Sequence, residues 1–401
     1  MKLEVIKGGL CAVKGVRAYG IKEGNKGLAL IEGEGKATGT FTTIKTQAAP
    51  VRFTKQQLES SGRVSAIIAN SGCANSFTGE QGMRDADTMA ELAASCLGVA
   101  KDAVAVASTG PIGMQLDMGL IERQLGEVAE GLTSEVEGST AAAKAIMTTD
   151  TFHKESAVRI ATGDTEPVVI GGIAKGSGMI SPHMTTATML SFIYTDADLE
   201  GDVLSRSLEE AVDNSFNMTV VDGDMSTNDM VLLVATGKSG GKISEEDFKA
   251  GLTFVCQELA KAIARDGEGA TKFIEVTVRG APSVADARAA ARAIVRSPLI
   301  KSAVFGERAD LTCGRIIASV GSAVVTENID LDGISISLKG AKAVLAVDNG
   351  EFIDLSEVER DIMKAKEIVI DVDLGTGGEA EATAWGCDLT CDYVKLNAAH
   401  H

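Results

Sequence analysis

The chain has 401 residues, 45% of them apolar, which is enough for two domains or one large body with a sizeable core. Forty-four glycines beside only 4% aromatic residues point to a compact α/β enzyme with many tight turns, and exclude a fibrous or disordered chain. Asp and Glu outnumber Lys and Arg by 56 to 38, and the resulting net charge of −18 argues against nucleic acid and against anionic membranes as partners.

In chain order, residues 27–33 (GLALIEG) and 39–46 (GTFTTIKT) read as strands around glycine turns. RVSAIIAN is a buried strand that ends in the polar loop SGCANSFTG, and DADTMAELAASCLG is a helix stopping at Gly98. AVAVAS is a strand running into TGPIG, LIERQLGEVAEGL and STAAAKAIMTT are helical, and EPVVIGGIA is a strand. After the loop KGSGMISPHMTTAT come the strand Met189–Tyr194, the helix GDVLSRSLEEAVDNSF and the strand DMVLLVATG. A long helix, SEEDFKAGLTFVCQELAKAIARDG, is acidic in its first turn, as the helix dipole favours. KFIEVTVRG, GRIIASVG and EIVIDVDLG read as strands, with the helix SVADARAAARAIVRS among them. No repeat period or proline-rich linker interrupts this pattern, which fits α/β layers rather than a simple βαβ alternation.

The seven cysteines, Cys11, Cys73, Cys96, Cys256, Cys313, Cys387 and Cys391, are odd in number and sparse, as expected of thiols in a reducing cytoplasm. Cys387 and Cys391 lack a second pair that would complete a zinc set. The opening MKLEVIKGGLCAVKG has no apolar signal core, and no run of apolar residues is long enough to span a bilayer.

Two glycine-rich stretches fail as nucleotide loops. GEGKATG places its third glycine one residue late, and VATGKSGGK has Leu232 where a phosphate loop needs its first glycine. No Gly-x-Ser-x-Gly elbow surrounds Ser177, because Lys175 fills the first glycine position. The chain has four histidines, His153, His183, His400 and His401, so a Ser-His-Asp triad or a histidine-rich metal site has little to draw on.

A threonine at a newly made chain start needs no histidine. Its free α-amine, with a reference pKa near 8, can take the hydroxyl proton. The threonine can make that start itself: Oγ attacks the preceding carbonyl, and water opens the ester. Such chemistry wants a small residue before the threonine, a strainable loop, and a rigid strand behind. Thr188 has Ala187 before it and the apolar strand after it; Thr185 and Thr186 have bulkier neighbours and a longer reach. An acyl-transfer nucleophile also needs oxyanion donors, and ASTGPIG places Thr109 and Gly110 at a strand end. On these residues alone, an ordinary threonine-rich loop and an ordinary turn are the better readings.

The stretches ASTGPIG, AIMTTDTFHK, KGSGMISPHM, VDGDMSTND, DGEGATK and CDLTCDYVKLNA, in this order and spacing over essentially the whole chain, resemble the ornithine acetyltransferases, also called glutamate N-acetyltransferases, of arginine biosynthesis. The resemblance implies layered sheets and helices like those of N-terminal-nucleophile hydrolases, with a different connectivity. It implies self-cleavage between Ala187 and Thr188 into an α fragment, 1–187, and a β fragment, 188–401, two of each forming a heterotetramer. Thr188 would take acetyl from N2-acetylornithine and pass it to glutamate, and some members also accept acetyl-CoA as donor. No metal or organic cofactor is implied.

By the same resemblance, Thr109 and Gly110 match the oxyanion pair, and Thr148 matches a substrate-binding hydroxyl. Lys175 suits the α-carboxylate shared by ornithine and glutamate, Glu268 suits the ammonium of ornithine, and Asn397 matches an amide of the site. Without it, Lys175 and Glu268 read as surface charges, and Thr148 and Asn397 as caps or turns. Three departures stand out. Thr185 and Thr186 lengthen the loop before Ala187 relative to the commonest pattern. FGERADLTCGRI is longer than the run it replaces, so the family's conformation does not carry over to the loop at 305–315. The chain ends AAHH where most members have an aromatic followed by small hydroxyl residues. The rival enzyme class is an N-terminal-threonine amidase or aminopeptidase, which would release the acyl group to water.

Overall fold

The structure is a computed structural model that describes residues 2–163, 165–181, 189–327, 329–355 and 362–399. The chain forms two compact units. The first holds Met1–Asn217 and Asp224–Leu259, the second Met218–Gly223 and Ala260–His401.

The first unit is built on one nine-stranded sheet. Its strands are β1 (Lys2–Val5), β2 (Arg17–Glu23), β3 (Lys26–Phe41), β4 (Arg63–Ser71), β5 (Val104–Thr109), β6 (Lys154–Ala161), β7 (Val168–Lys175), β8 (Leu190–Thr195) and, after the short β9 (Thr219–Val220) of the other unit, β10 (Met230–Ala235). They lie in the order β1-β6-β7-β8-β10-β3-β4-β5, with β2 also on β3. β8 and β10 are parallel, as are β4 and β5; the other pairs are antiparallel.

The sixteen-residue β3 shapes this sheet. Its first half pairs with β2 and β4, its second half with β10, and a register shift between Glu32 and Gly35 separates the two. A bulge bends and twists a strand. The GEGKATG run that failed as a nucleotide loop is this bend: a Cβ on Gly35 would lie 2.1 Å from the Ala235 carbonyl oxygen. The bend folds the sheet on itself. One core cluster contains Ala29, Ile67, Ala69 and Ala105 from one half, and Ile173, Phe192, Tyr194 and Leu232 from the other. The outer face of β3-β4-β5, with Leu28, Ile68 and Val106, is covered by α2 (Gly79–Leu97) and α3 (Met118–Glu130). With both faces buried, these strands read as continuous apolar runs instead of alternating ones. α1 (Ala49–Ser61), α4 (Val136–Ala145) and α5 (Gly201–Asp213) pack on the same sheet.

α6 (Glu245–Arg265) leads into the second unit. Its seven-stranded sheet runs β14-β13-β12-β15-β11-β16-β9. The remaining strands are β11 (Phe273–Ala281), β12 (Ser335–Lys339), β13 (Ala343–Asp348), β14 (Glu351–Phe352), β15 (Glu367–Asp373) and β16 (Ala380–Cys387). Its helices include α7 (Val284–Arg296), α8 (Pro298–Phe305), α9 (Ala309–Ala323) and α10 (Cys391–Ala398). No helix among the described residues is long and apolar enough to cross a membrane.

The α/β expectation holds, and three local expectations are corrected. GRIIASVG is not a strand but the centre of α9, whose buried positions Ala309, Thr312, Cys313, Ile316 and Val320 recur at helical spacing. Taken alone, its short apolar core satisfies either period; the stripe emerges when the window extends back to Ala309. For the same reason 305–315 is not a loop but the junction of α8 and α9. The helix expected over STAAAKAIMTT ends at Ala145, so Thr148 stands in a turn.

Candidate functional site

All six residues of β5 are buried, and the strand ends at Thr109, level with Ser71 of parallel β4. The two chains leaving these strands are laced together: Cys73 N–H donates to the Thr109 carbonyl at 3.1 Å, Ala74 N–H to the Pro111 carbonyl at 3.1 Å, and Gly113 N–H to the Ser76 carbonyl at 3.0 Å. Between them Gly110 has φ +136, and a Cβ there would lie 2.5 Å from the Cys73 nitrogen. Only glycine fits this backbone conformation and this close approach.

Lys175 is the last residue of β7, paired across with Leu190 of β8, and is 3% exposed. It is therefore no surface charge. Its Nζ donates to Thr109 Oγ1 at 3.1 Å. An ammonium only donates, so Thr109 Oγ accepts here and its own O–H is left to donate elsewhere.

Next to this pair lies a carboxylate the sequence reasoning missed. Asp150 accepts from Lys154 Nζ at 2.7 Å, from the Gly176 N–H at 2.8 Å and from the Thr148 N–H at 3.0 Å. The Asp150 and Lys154 side chains are both fully buried. Burial by itself would push the Asp150 carboxyl up, but the two lysines and the Thr148 amide outweigh it and hold the group well below the usual carboxylate range. Two lysines face one carboxylate here, an arrangement that suits a substrate carboxylate or a developing oxyanion. Both residues stand inside AIMTTDTFHK. A charged residue on each side of the short segment 151–153 was the available signal.

Thr109, Gly110, Thr148 and Lys175 thus share one neighbourhood in the first unit, with Thr148 joined through Asp150 and Gly176. Ala187 and Thr188, with His183, Thr185 and Thr186, lie outside the described residues; the first described residue after them is the buried Met189, at the entrance of β8. Glu268 and Asn397 belong to the second unit. There Asn397 Nδ2, on α10, donates to Glu268 Oε2 at 2.8 Å and to the Tyr393 carbonyl at 3.0 Å. The helix is capped by Thr390, whose Oγ1 accepts the Asp392 and Tyr393 N–H groups and donates to the Gly269 carbonyl at 2.7 Å.

Comparison with known proteins covers nearly the whole chain. The ArgJ family model matches residues 13–401. A glutamate N-acetyltransferase of Methanosarcina mazei is 51% identical over 404 residues, spanning 99% of this chain and 100% of that protein. The arginine biosynthesis bifunctional protein ArgJ of Symbiobacterium thermophilum is 45% identical over 413 residues, 99% of this chain and 100% of that one. Among solved structures, an ornithine acetyltransferase of Mycobacterium tuberculosis complexed with ornithine is 34% identical, with a TM-score of 0.42, covering 46% of this chain and 100% of that chain. With a family match from residue 13 to the last residue and full-length relatives at about half identity, the chain belongs to the ArgJ family.

Proposed function

We propose that this chain is an acetyltransferase of arginine biosynthesis that moves acetyl from N2-acetylornithine to glutamate through an acetyl ester on Thr188. The ester-forming residue is freed by self-cleavage. Thr188 Oγ attacks the Ala187 carbonyl carbon, the C–N bond breaks as the nitrogen takes a proton, and water hydrolyses the resulting ester. This leaves the α fragment 1–187 ending in a carboxylate and the β fragment 188–401 starting with a free amine. β8, which begins two residues after the cut, lies inside the first unit's sheet between β7 and β10, so the two fragments would share one sheet.

In turnover the α-amine of Thr188 takes the Oγ proton as Oγ attacks the acetyl carbonyl. The oxyanion accepts from Thr109 O–H and Gly110 N–H. Collapse breaks the C–N bond, the α-amine of ornithine leaves with the proton, and glutamate's α-amine repeats the sequence in reverse. Lys175 holds the α-carboxylate common to both amino acids; Thr148, Glu268 and Asn397 complete substrate binding. Two α and two β fragments form the working assembly.

The observation that carries this reading is the Lys175–Thr109 bond. A buried cation on the lone pair of a hydroxyl polarises its O–H into a stronger donor, which an oxyanion needs and a plain turn does not. The relative named glutamate N-acetyltransferase supports glutamate as the acceptor.

The test has two parts. Purified chain should run as two fragments, the second beginning Thr-Met-Leu-Ser, and Thr188→Ala should stay whole; a second fragment beginning at Thr185 or Thr186 moves the nucleophile. Incubation with N2-acetylornithine and glutamate should yield N-acetylglutamate in step with ornithine, and a parallel arm with acetyl-CoA decides whether that donor is used. Free acetate in place of N-acetylglutamate would return the chain to the amidase class.

A further inference from the structure

The last two residues of VDGDMSTND stand just before β10 and are almost fully buried, Asn228 at 5% and Asp229 at 0% exposure. Asn228 Nδ2 donates to the Ala74 carbonyl at 2.6 Å and to the Ser108 carbonyl at 2.9 Å, and its Oδ1 accepts from Thr227 Oγ1 at 2.6 Å. Asp229 Oδ1 accepts the Met189 N–H at 2.7 Å. The next residue, Met230, donates its N–H to the Met189 carbonyl at 3.1 Å, so both polar groups of Met189 are held from this one segment. The segment is itself anchored at the end of β3: Thr42 N–H donates to the Asp229 carbonyl at 3.1 Å, and Thr42 Oγ1 to the Ser226 carbonyl at 2.7 Å.

The covalent neighbours of the two gripped groups give these contacts their meaning. The Ser108 carbonyl belongs to the peptide unit that carries the Thr109 nitrogen. The Met189 N–H belongs to the peptide unit that carries the carbonyl carbon of Thr188. Adjacent residues are about 3.8 Å apart at Cα, so the two grips cannot drift independently. We propose that Asn228 and Asp229 are positioning residues, two neighbouring side chains that grip the peptide units next to Thr109 and next to Thr188 and so set the spacing of oxyanion donor and nucleophile. The assignment rests on the acetyl-threonine reading of Thr188.

The chemistry of Asp229 fits a grip better than a charge. Burial pushes its carboxyl well above the usual range, although the Met189 N–H, Lys175 and the Ser226 backbone pull the other way. A protonated carboxyl still accepts through its carbonyl oxygen and places no uncompensated anion beside the oxyanion donor. Its Oδ2 has no hydrogen-bond partner among the described residues. A carboxamide has the same shape, with an acceptor at one position and a donor at the other.

That equivalence sets the test. Asp229→Ala should lower kcat for acetyl transfer about 100-fold, the loss that follows a misplacement of roughly 1 Å, with KM within about threefold. Asp229→Asn should recover most of that loss. Asn228→Asp, which turns a donor into an acceptor facing two carbonyls, should also lower kcat, and its combination with Asp229→Ala should fall short of the product of the two effects. If Asp229→Ala does not fold, Asp229→Thr, one bond too short to reach Met189, replaces it. A kcat of Asp229→Ala within about threefold of wild type, or an Asp229→Asn as damaged as Asp229→Ala, overturns the proposal. A second readout needs no activity: in uncleaved Thr188→Ala protein, exchange of the Met189 amide followed by NMR should be at least about tenfold faster after Asp229→Ala and slow again in Asp229→Asn. Unchanged exchange overturns the grip. A wild-type chain that neither cleaves nor transfers acetyl refutes the acetyl-threonine reading, while the exchange result still decides whether Asp229 holds Met189.

Discussion

Replacing Thr109 by valine keeps the shape of the side chain at the end of β5 and removes only its hydroxyl, so two losses can be read separately. The first is structural. Lys175, 3% exposed, loses the acceptor 3.1 Å from its Nζ. Hydrogen bonds to charged groups contribute about 1.5–3 kcal/mol, and Asp150 still attracts the ammonium, so a cost of about 1.5 kcal/mol is expected. At about 2–4 °C per kcal/mol for a body of this size, Tm should fall by about 3–6 °C. The second loss is catalytic. One preorganised oxyanion donor is worth about 100- to 1,000-fold in kcat, with little change in KM. Initial rates of ornithine release with saturating glutamate measure the second loss, and thermal unfolding of the same samples measures the first. Thr109→Ser, which keeps an O–H, should regain most of the rate. Because Lys175 acts on kcat through Thr109, Thr109→Val combined with Lys175→Met should lower kcat by less than the product of the two single effects, while the carboxylate contact of Lys175 is read in KM. A full drop in Tm with less than about a tenfold drop in kcat would refute the argument: Thr109 would then be a partner for a buried lysine and nothing more. Strict multiplicativity of the two single effects would refute the pairing.

Lys154→Met leaves Asp150 buried with one cation fewer; breaking such a pair costs about 3–5 kcal/mol, and Lys175 nearby points to the lower end, visible as a fall in the urea midpoint. Because the folded-state pKa of Asp150 is depressed, its stabilisation is complete above the unfolded value of about 3.9 and is lost as pH falls through the folded value; Asp150→Asn should flatten this part of the acid unfolding curve. Gly110→Ala demands φ +136 of an L-residue and a Cβ 2.5 Å from the Cys73 nitrogen, so it should destabilise by about 3 kcal/mol and lower both self-cleavage and turnover; wild-type rates and Tm would show that the turn is not needed. If the α-amine of Thr188 is the base, activity should rise with pH through one ionisation at or below about 8, since Lys175 disfavours a second positive charge. Thr188→Ser should keep that limb at lower turnover and His183→Asn should leave it unmoved; its loss in the histidine variant would assign the base to His183.

Much of the fold was readable from residue order. β4, β5, β7, β8 and β10 are short continuous apolar runs because the folded sheet buries both of their faces, and α2, α5 and α7 announce themselves by stripe and boundary residues. Thr109 and Lys175 each close one of these legible strands, so their place at a strand end was visible, as was the family resemblance carried by the runs around them. The short run inside α9 was not, because four or five apolar residues satisfy both periods until distant turns of the same helix are counted. The meeting of the site residues was decided only in three dimensions. Four strands stand between β7 and β5 in the sheet, about 24 Å if it were flat, yet Lys175 Nζ reaches Thr109 Oγ1 at 3.1 Å. The bend of β3 at Glu32–Gly35, which brings the two halves of the sheet face to face, closes that gap. The same closure puts Asn228 against Ser108, 120 positions apart in the chain, whereas Asp150 meets Gly176 through the antiparallel pairing of neighbouring β6 and β7. A side chain's neighbours across such a fold depend on how every intervening strand twists, and no local pattern of polarity or propensity encodes that sum.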